Sequence, residues 1–118
     1  MPLNLFRCLL ILAAALLLAA CVDKTPLSAA QMPYAGYWVG QDGSVIHIWA
    51  NGGGDFKVQG KSVSGGRAEF ARDRLKIALW FIEQEWRITK APHRTGSVDE
   101  MVLDNQVFRR REPKREGA

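Results

Sequence analysis

Cys21 is the residue whose surroundings indicate a chemical role most clearly. It directly follows an apolar run, Leu9 to Ala20, which contains only leucine, isoleucine and alanine, and the single charge ahead of that run is Arg7. A positive start, an apolar middle and small residues before a cut are the layout of a secretory signal. The pattern therefore indicates export and removal of a leader peptide, with the Cys21 thiol directly after the small residues.

The stretch Leu18-Ala19-Ala20-Cys21 resembles the lipobox of bacterial lipoprotein precursors. The resemblance implies cleavage between Ala20 and Cys21, a diacylglyceryl group on the Cys21 thiol, and acylation of the new amine with a chain such as palmitate. The membrane is then a partner through the N-terminal lipid. In the enterobacterial pattern an aspartate after the cysteine implies retention in the inner membrane. Val22 stands there instead, which favours the outer membrane with the domain facing the periplasm, although Asp23 follows one place later.

Two other interpretations of this segment stay open. One is a transmembrane helix, but the apolar run is only about a dozen residues, whereas a bilayer requires roughly 20. Asp23 and Lys24 follow too closely to extend the run. The other is an ordinary signal peptide with a coincidental cysteine, which Leu18, at the end of the apolar run, disfavours.

The two histidines, His47 and His93, are the next candidates for chemistry. His47 alternates with Val45 and Trp49 along one face of a predicted strand, which favours a surface or rim position. His93 lies in a basic loop without a cysteine or carboxylate near it in sequence. Two histidines without a third ligand at metal spacing do not predict zinc, and neither a metal nor a cofactor is expected.

Paired carboxylates and hydroxyls offer little more. Glu83 and Glu85 share a strand face, and such a pair can act as an acid and a base, but Arg87 continues the same face and favours surface ion pairing. Ser62 and Ser64 lie in a predicted flexible loop without a partner base. The chain is therefore expected to be a non-enzyme.

The chain of 118 residues divides into one small domain and its flanks. Cys8 leaves with the leader and Cys21 carries lipid, so no disulfide is expected. An alternative for the tether is that Leu27 and Met32 pack along the domain as an extended arm. The predicted parts are a signal peptide at 1–20, the lipidated cysteine and tether at 21–33, a β-barrel at 34–111, and a basic disordered tail at 112–118.

From Tyr34 onward the sequence predicts an all-β domain. Short apolar stretches are separated by turn signals about every eight to twelve residues, which gives about eight short strands. A change of phase between Leu79 and Gln84 indicates a turn or bulge, and 91–97 is predicted as a loop. Consecutive hairpins form an antiparallel meander, and a meander of this size removes its edges by closing into a small barrel.

Gly36-Tyr37-Trp38 before the first strand and Arg109 near the end of the last resemble the lipocalin-type barrels. The resemblance implies that the Trp38 indole packs under Arg109. The chain departs from that family because it is far shorter and lacks the long loop over the barrel opening. The expected interior side chains are Trp38, Ile46, Ile48, Phe56, Phe70, Leu75, Ile77, Trp86, Ile88 and Phe108.

The expected function is a non-enzymatic binding or accessory module of the envelope. Trp49, Trp80 and Phe81 form the candidate docking face. The net charge of +4 is concentrated near the C-terminus, in Arg109-Arg110-Arg111, Lys114 and Arg115, so an anionic envelope polymer is an alternative partner to an envelope protein. Because secretion is expected, nucleic acid is not an expected partner.

Two alternative functions stay open. Ser62-Val63-Ser64-Gly65-Gly66-Arg67 resembles the inhibitory loop of the membrane-bound lysozyme inhibitors, which implies an inhibitor of a cell-wall hydrolase with Ser64 entering the cleft. That family's later motif and cysteine pair are missing here. The other alternative is a carrier of a small ligand, which requires a cavity inside the barrel.

Overall fold

A computed structural model describes residues 23–113, and within them the chain forms a closed antiparallel barrel of eight strands. Each strand pairs with the next along the chain, and β8 pairs with β1 to close the barrel. The predicted all-β meander barrel is therefore confirmed. The predicted signal peptide, Cys21, and residues 114–118 of the predicted tail lie outside the described residues. The strands are β1 (Gly36–Gly40), β2 (Val45–Ile48), β3 (Gly53–Val58), β4 (Lys61–Ala71), β5 (Arg74–Leu79), β6 (Ile82–Thr95), β7 (Val98–Leu103) and β8 (Gln106–Arg111).

The meander gives the barrel two distinct ends, because successive hairpin turns alternate between them. We call the end that carries the entering chain the proximal end. It holds a short 3₁₀ helix, Met32–Tyr34, and the turns after β2, β4 and β6. The distal end holds the turns after β1, β3, β5 and β7. A hydrogen bond from the Lys61 ammonium to the Glu83 carbonyl (2.7 Å) links two distal turns.

The barrel interior is occupied by side chains from alternate strand positions. Eight of the ten expected core side chains are buried, whereas Phe70 and Ile88 are only partly buried against the core. Trp86 packs edge-on against Phe56, with ring centroids 5.7 Å apart. Apart from glycines, the buried residues that the sequence did not predict are Tyr34, Ser44, Val63, Ala78, Met101 and Leu103.

Two strands are longer than predicted. The expected loop at 62–66 lies inside β4, because this strand pairs with β3 through its first part and with β5 through its second. The predicted loop at 91–97 is also wrong, since β6 continues to Thr95 and only 96–97 form a turn. The predicted change of phase is confirmed as the turn at Trp80 and Phe81, between the paired residues Leu79 and Ile82.

Part of the segment that joins Cys21 to the barrel lies against the proximal end. Leu27 is half-buried against the core, and its N–H donates to the Ala50 carbonyl (3.0 Å). Gly52 has φ +90°, and a β-carbon there would overlap the Thr25 carbonyl, so this turn needs glycine for both its backbone and its neighbour. Leu27 therefore packs along the domain, as the alternative of an extended arm predicts, whereas the Met32 side chain is 45% exposed.

Candidate binding sites

Trp38 and Arg110 of β8 together close the proximal end of the barrel. The Trp38 side chain is fully buried and its indole N–H donates to the Tyr34 carbonyl (2.9 Å). The Arg110 guanidinium lies 4.4 Å from the centre of the Trp38 ring, within cation–π distance. Gly36 leaves the space that this guanidinium fills, since a β-carbon there would overlap it.

The assignment of this role to Arg109 was wrong. Successive residues of a strand point to opposite faces, so Arg110 shares the inward face of Phe108 while Arg109 points outward. Arg109 is exposed and forms an ion pair with Glu100 (3.1 Å). Arg110 instead donates to Asp99 (3.0 Å) and to the carbonyls of Pro33 and Ala35. A shift of one residue therefore reverses the role of the two arginines.

Replacing Arg110 with methionine is expected to lower the free energy of unfolding by about 2 kcal/mol, because two carbonyls and a carboxylate lose a charged donor. The matched change Arg109→Met removes only an exposed ion pair and is expected to cost about 0–1 kcal/mol. Urea unfolding of the two variants checks this. Equal costs would contradict the assignment of Arg110 to the Trp38 site.

The two histidines lie in different surroundings. His47 stacks on Trp49 with ring centroids 3.8 Å apart, and Tyr37 meets its edge at 5.4 Å. Partial burial lowers the pKa of His47, and the Asp55 carboxylate opposes this shift. His93 is exposed, and its Nδ1 lies 2.9 Å from the Ala91 carbonyl. Across residues 23–113 there is no group of three or more His, Cys, Asp or Glu placed to hold a metal ion.

The carboxylates of β6 pair with cations on the neighbouring strand, as predicted. Glu85 contacts Arg74 (3.0 Å) and Glu83 contacts Lys76 (3.9 Å). A hydrogen bond from Lys76 to Glu69, together with the nearby negative charge of Glu69 and Glu83, raises the pKa of Lys76. These groups are exposed, so each pair contributes little to stability. The arrangement is that of a solvated sheet surface.

Ser62 and Ser64 do not lie in a flexible loop. Both side chains are exposed on β4, and the backbone N–H of Gly65 donates to Asp55 on β3 (2.7 Å). The resemblance to the lysozyme inhibitors implied a loop that enters a cleft, whereas here Ser64 lies within β4, at the point where its register with β3 shifts.

The distal end carries the most exposed aromatic side chains of the described residues. Trp80 is 77% exposed and Phe81 is 89% exposed, and together they form the two-residue turn between β5 and β6. Trp80 has φ +54°, a conformation that costs a non-glycine residue roughly 1–2 kcal/mol. A bulky aromatic therefore occupies a turn position where glycine would fit without strain, and it does so while facing solvent.

The proximal end carries two further exposed apolar side chains, Trp49 (47%) and Met32 (45%). Trp49 is held in place, because His47 covers one face of its ring and its indole N–H donates to Asp55 (3.1 Å). Sequence alternation placed His47 and Trp49 on one face, but the contact with Asp55 depends on the pairing of β2 with β3. Large exposed apolar groups in the described chain are thus found at the two ends of the barrel.

No family model, no curated protein and no solved structure matches this chain. Within the described part, no helix has the length and apolar character needed to cross a bilayer.

Proposed function

We propose that this protein is a lipid-anchored, non-enzymatic binding module of the bacterial envelope, held in the outer membrane through Cys21 and facing the periplasm. It binds an envelope protein through the distal turn formed by Trp80 and Phe81. The observation that carries this proposal is the exposure of both rings, 77% and 89%, on one two-residue turn. The anchor itself is supported by the Leu18-Ala19-Ala20-Cys21 motif behind an apolar leader.

The chemistry of the distal turn favours an apolar cleft on a protein. Burying one large apolar ring contributes about 2 kcal/mol, and aromatic anchors that fill pockets supply much of the binding energy in protein interfaces. The turn is also short and paired on both sides by Leu79 and Ile82, so little backbone freedom is lost when it binds. The strained backbone of Trp80 is consistent with a side chain retained for function.

An anionic polymer is the less favoured partner, because two arginines of the predicted basic cluster are already engaged. Arg109 pairs with Glu100, and Arg110 is half-buried against Trp38 and Asp99. The barrel interior is occupied by packed side chains. Because a small-ligand carrier requires a cavity there, this alternative is also less favoured.

Site-specific photocrosslinking in a bacterial host tests the distal turn. A photoreactive phenylalanine analogue is placed at Phe81 in the full chain, and the same analogue is placed at Arg72 as the control. Arg72 lies in an exposed two-residue turn at the proximal end, and its φ of +56° resembles that of Trp80. We expect a discrete protein adduct from position 81 and none from position 72.

The second variant in this experiment is Trp80→Gly, which removes the ring and relieves the positive φ, so the barrel is expected to be at least as stable as before. Loss of about 2 kcal/mol of binding energy corresponds to a decrease in adduct of at least about tenfold. An adduct that persists unchanged in Trp80→Gly, or equal adducts at both positions, would contradict the proposed site.

A further inference from the structure

The geometry points to a fixed orientation of the barrel on the membrane, which we call its seating. The proximal end, with Trp49 and Met32, lies against the lipid headgroups, and the distal turn at Trp80 and Phe81 faces away from them. This inference rests on the proposed anchor at Cys21 and adds to it an orientation and a second contact with lipid. Three observations carry it: the length of the free chain, the side chains around the point where it docks, and the separation of the two ends.

The first observation is the short connection between the barrel and the lipidated cysteine. Thr25 lies against Gly52 in the turn after β2, and the Leu27 N–H donates a hydrogen bond to the Ala50 carbonyl in the same turn. Only three residues separate Cys21 from Thr25, and the four extended Cα–Cα steps between them span at most about 14 Å. The headgroup layer alone is roughly 6 Å thick on each side of a bilayer. The turn after β2 is therefore held within several ångströms of the lipid surface.

The second observation is the chemistry of the residues at this turn. The Trp49 indole and the Lys24 ammonium both border the space beside the Gly53 α-carbon. Tryptophan is enriched at the boundary between headgroups and acyl chains, and lysine can keep its ammonium among headgroup phosphates while its methylene stem covers apolar surface. Because His47 and Asp55 hold the indole in place, Trp49 offers an ordered apolar ring to the membrane. Met32 on the adjacent 3₁₀ helix adds a second exposed apolar side chain.

The third observation is that the other exposed aromatics lie at the opposite end. β5 has six residues, and a tilted strand of that length spans roughly 15 Å along the barrel axis. A proximal end seated on lipid therefore places Trp80 and Phe81 beyond the headgroups, where a periplasmic protein can reach them. The same barrel that is tied to the membrane at one end presents its binding turn at the other.

Fluorescence quenching by brominated lipids tests the seating. The full chain is isolated from bacterial membranes and reconstituted in vesicles of phosphatidylethanolamine and phosphatidylglycerol, with and without bromine on the acyl chains. Two variants are compared. Trp80→Phe keeps Trp49 as its exposed tryptophan, and Trp49→Phe keeps Trp80. Trp38 and Trp86 are buried in both. We expect bromine to quench the Trp80→Phe variant at least about twofold more than the Trp49→Phe variant, because an interfacial indole lies close to the acyl chains.

The outcomes separate the seating from the anchor. Vesicle flotation and intact mass measurement of the same preparation report on the anchor, whereas the difference between the two variants reports on orientation. Protein that floats but shows equal quenching, or stronger quenching of Trp80, overturns the seating and leaves the anchor standing. Protein that does not float with vesicles overturns both.

Discussion

Replacing Trp38 with alanine is expected to lower the free energy of unfolding by about 3–5 kcal/mol. The indole is the largest fully buried side chain of the described barrel, and its removal leaves a cavity below the 3₁₀ helix. The change also removes the hydrogen bond to the Tyr34 carbonyl and the ring over which Arg110 lies. Small domains are stable by only about 5–15 kcal/mol, so the variant is expected to lose much of its stability. Urea unfolding monitored by circular dichroism measures the effect.

The matched control for Trp38→Ala is Trp80→Ala, which removes the same residue type from an exposed turn. We expect a change within about 0.5 kcal/mol, since few native contacts are lost there. If Trp38→Ala unfolds at the same urea concentration as the parent chain, the indole does not close the barrel. The contrast between the two variants separates loss of packing from a general effect of removing tryptophan.

Replacing Cys21 with serine is expected to abolish stable attachment to membranes, because serine supplies no thiol for the diacylglyceryl group. Each buried methylene contributes about 0.8 kcal/mol, and stable anchoring needs more than one acyl chain, so loss of the thiol removes the dominant membrane contact. The variant is expected to accumulate as an uncleaved precursor or as a soluble form. Flotation of envelope fractions and intact mass spectrometry measure this outcome.

The control for Cys21→Ser is Cys8→Ser, which changes the other cysteine of the chain. Cys8 lies within the predicted leader, so this variant is expected to be processed and to float like the parent. If the Cys21 variant keeps its acyl mass and its membrane partitioning, the lipoprotein hypothesis is wrong. Identical losses in both variants would indicate that the leader and not the Cys21 thiol had been damaged.

The two proposed contacts give each end of the barrel a separate task. In this proposal, Thr25 and Trp49 at the proximal end restrict how far the barrel moves from lipid, and Trp80 and Phe81 at the distal end provide the ring surface for a partner. A tethered domain that is also seated has a preferred orientation, which raises the fraction of time that its binding turn faces the periplasm. This reduces the orientational cost of binding.

The sequence by itself predicted a leader and an anchoring cysteine, and it determined the all-β class and most of the core. These are local properties: an apolar run directly before Cys21, turn residues at short intervals, and alternate apolar positions such as Ile46 and Ile48. The register of the strands is not local. Which of Arg109 and Arg110 faces Trp38 depends on a single step in the pairing of β8 with β1, and a step of one residue reverses the face.

Only the three-dimensional structure decided the remaining features, because each depends on which segments pair or pack together and in what register. The glycines of β4 and the proline of β6 led the sequence to predict loops there. Both strands continue through these residues, because each pairs with one neighbouring strand first and with another later. The restraint of Trp49 by Asp55 depends on the pairing of β2 with β3. The contact of Thr25 with Gly52 and the separation of Trp49 from Trp80 depend on how the chain packs around the paired strands. Local patterns predict most of the strands, but the order and register of strand pairing set which side chains lie at the same end of the barrel.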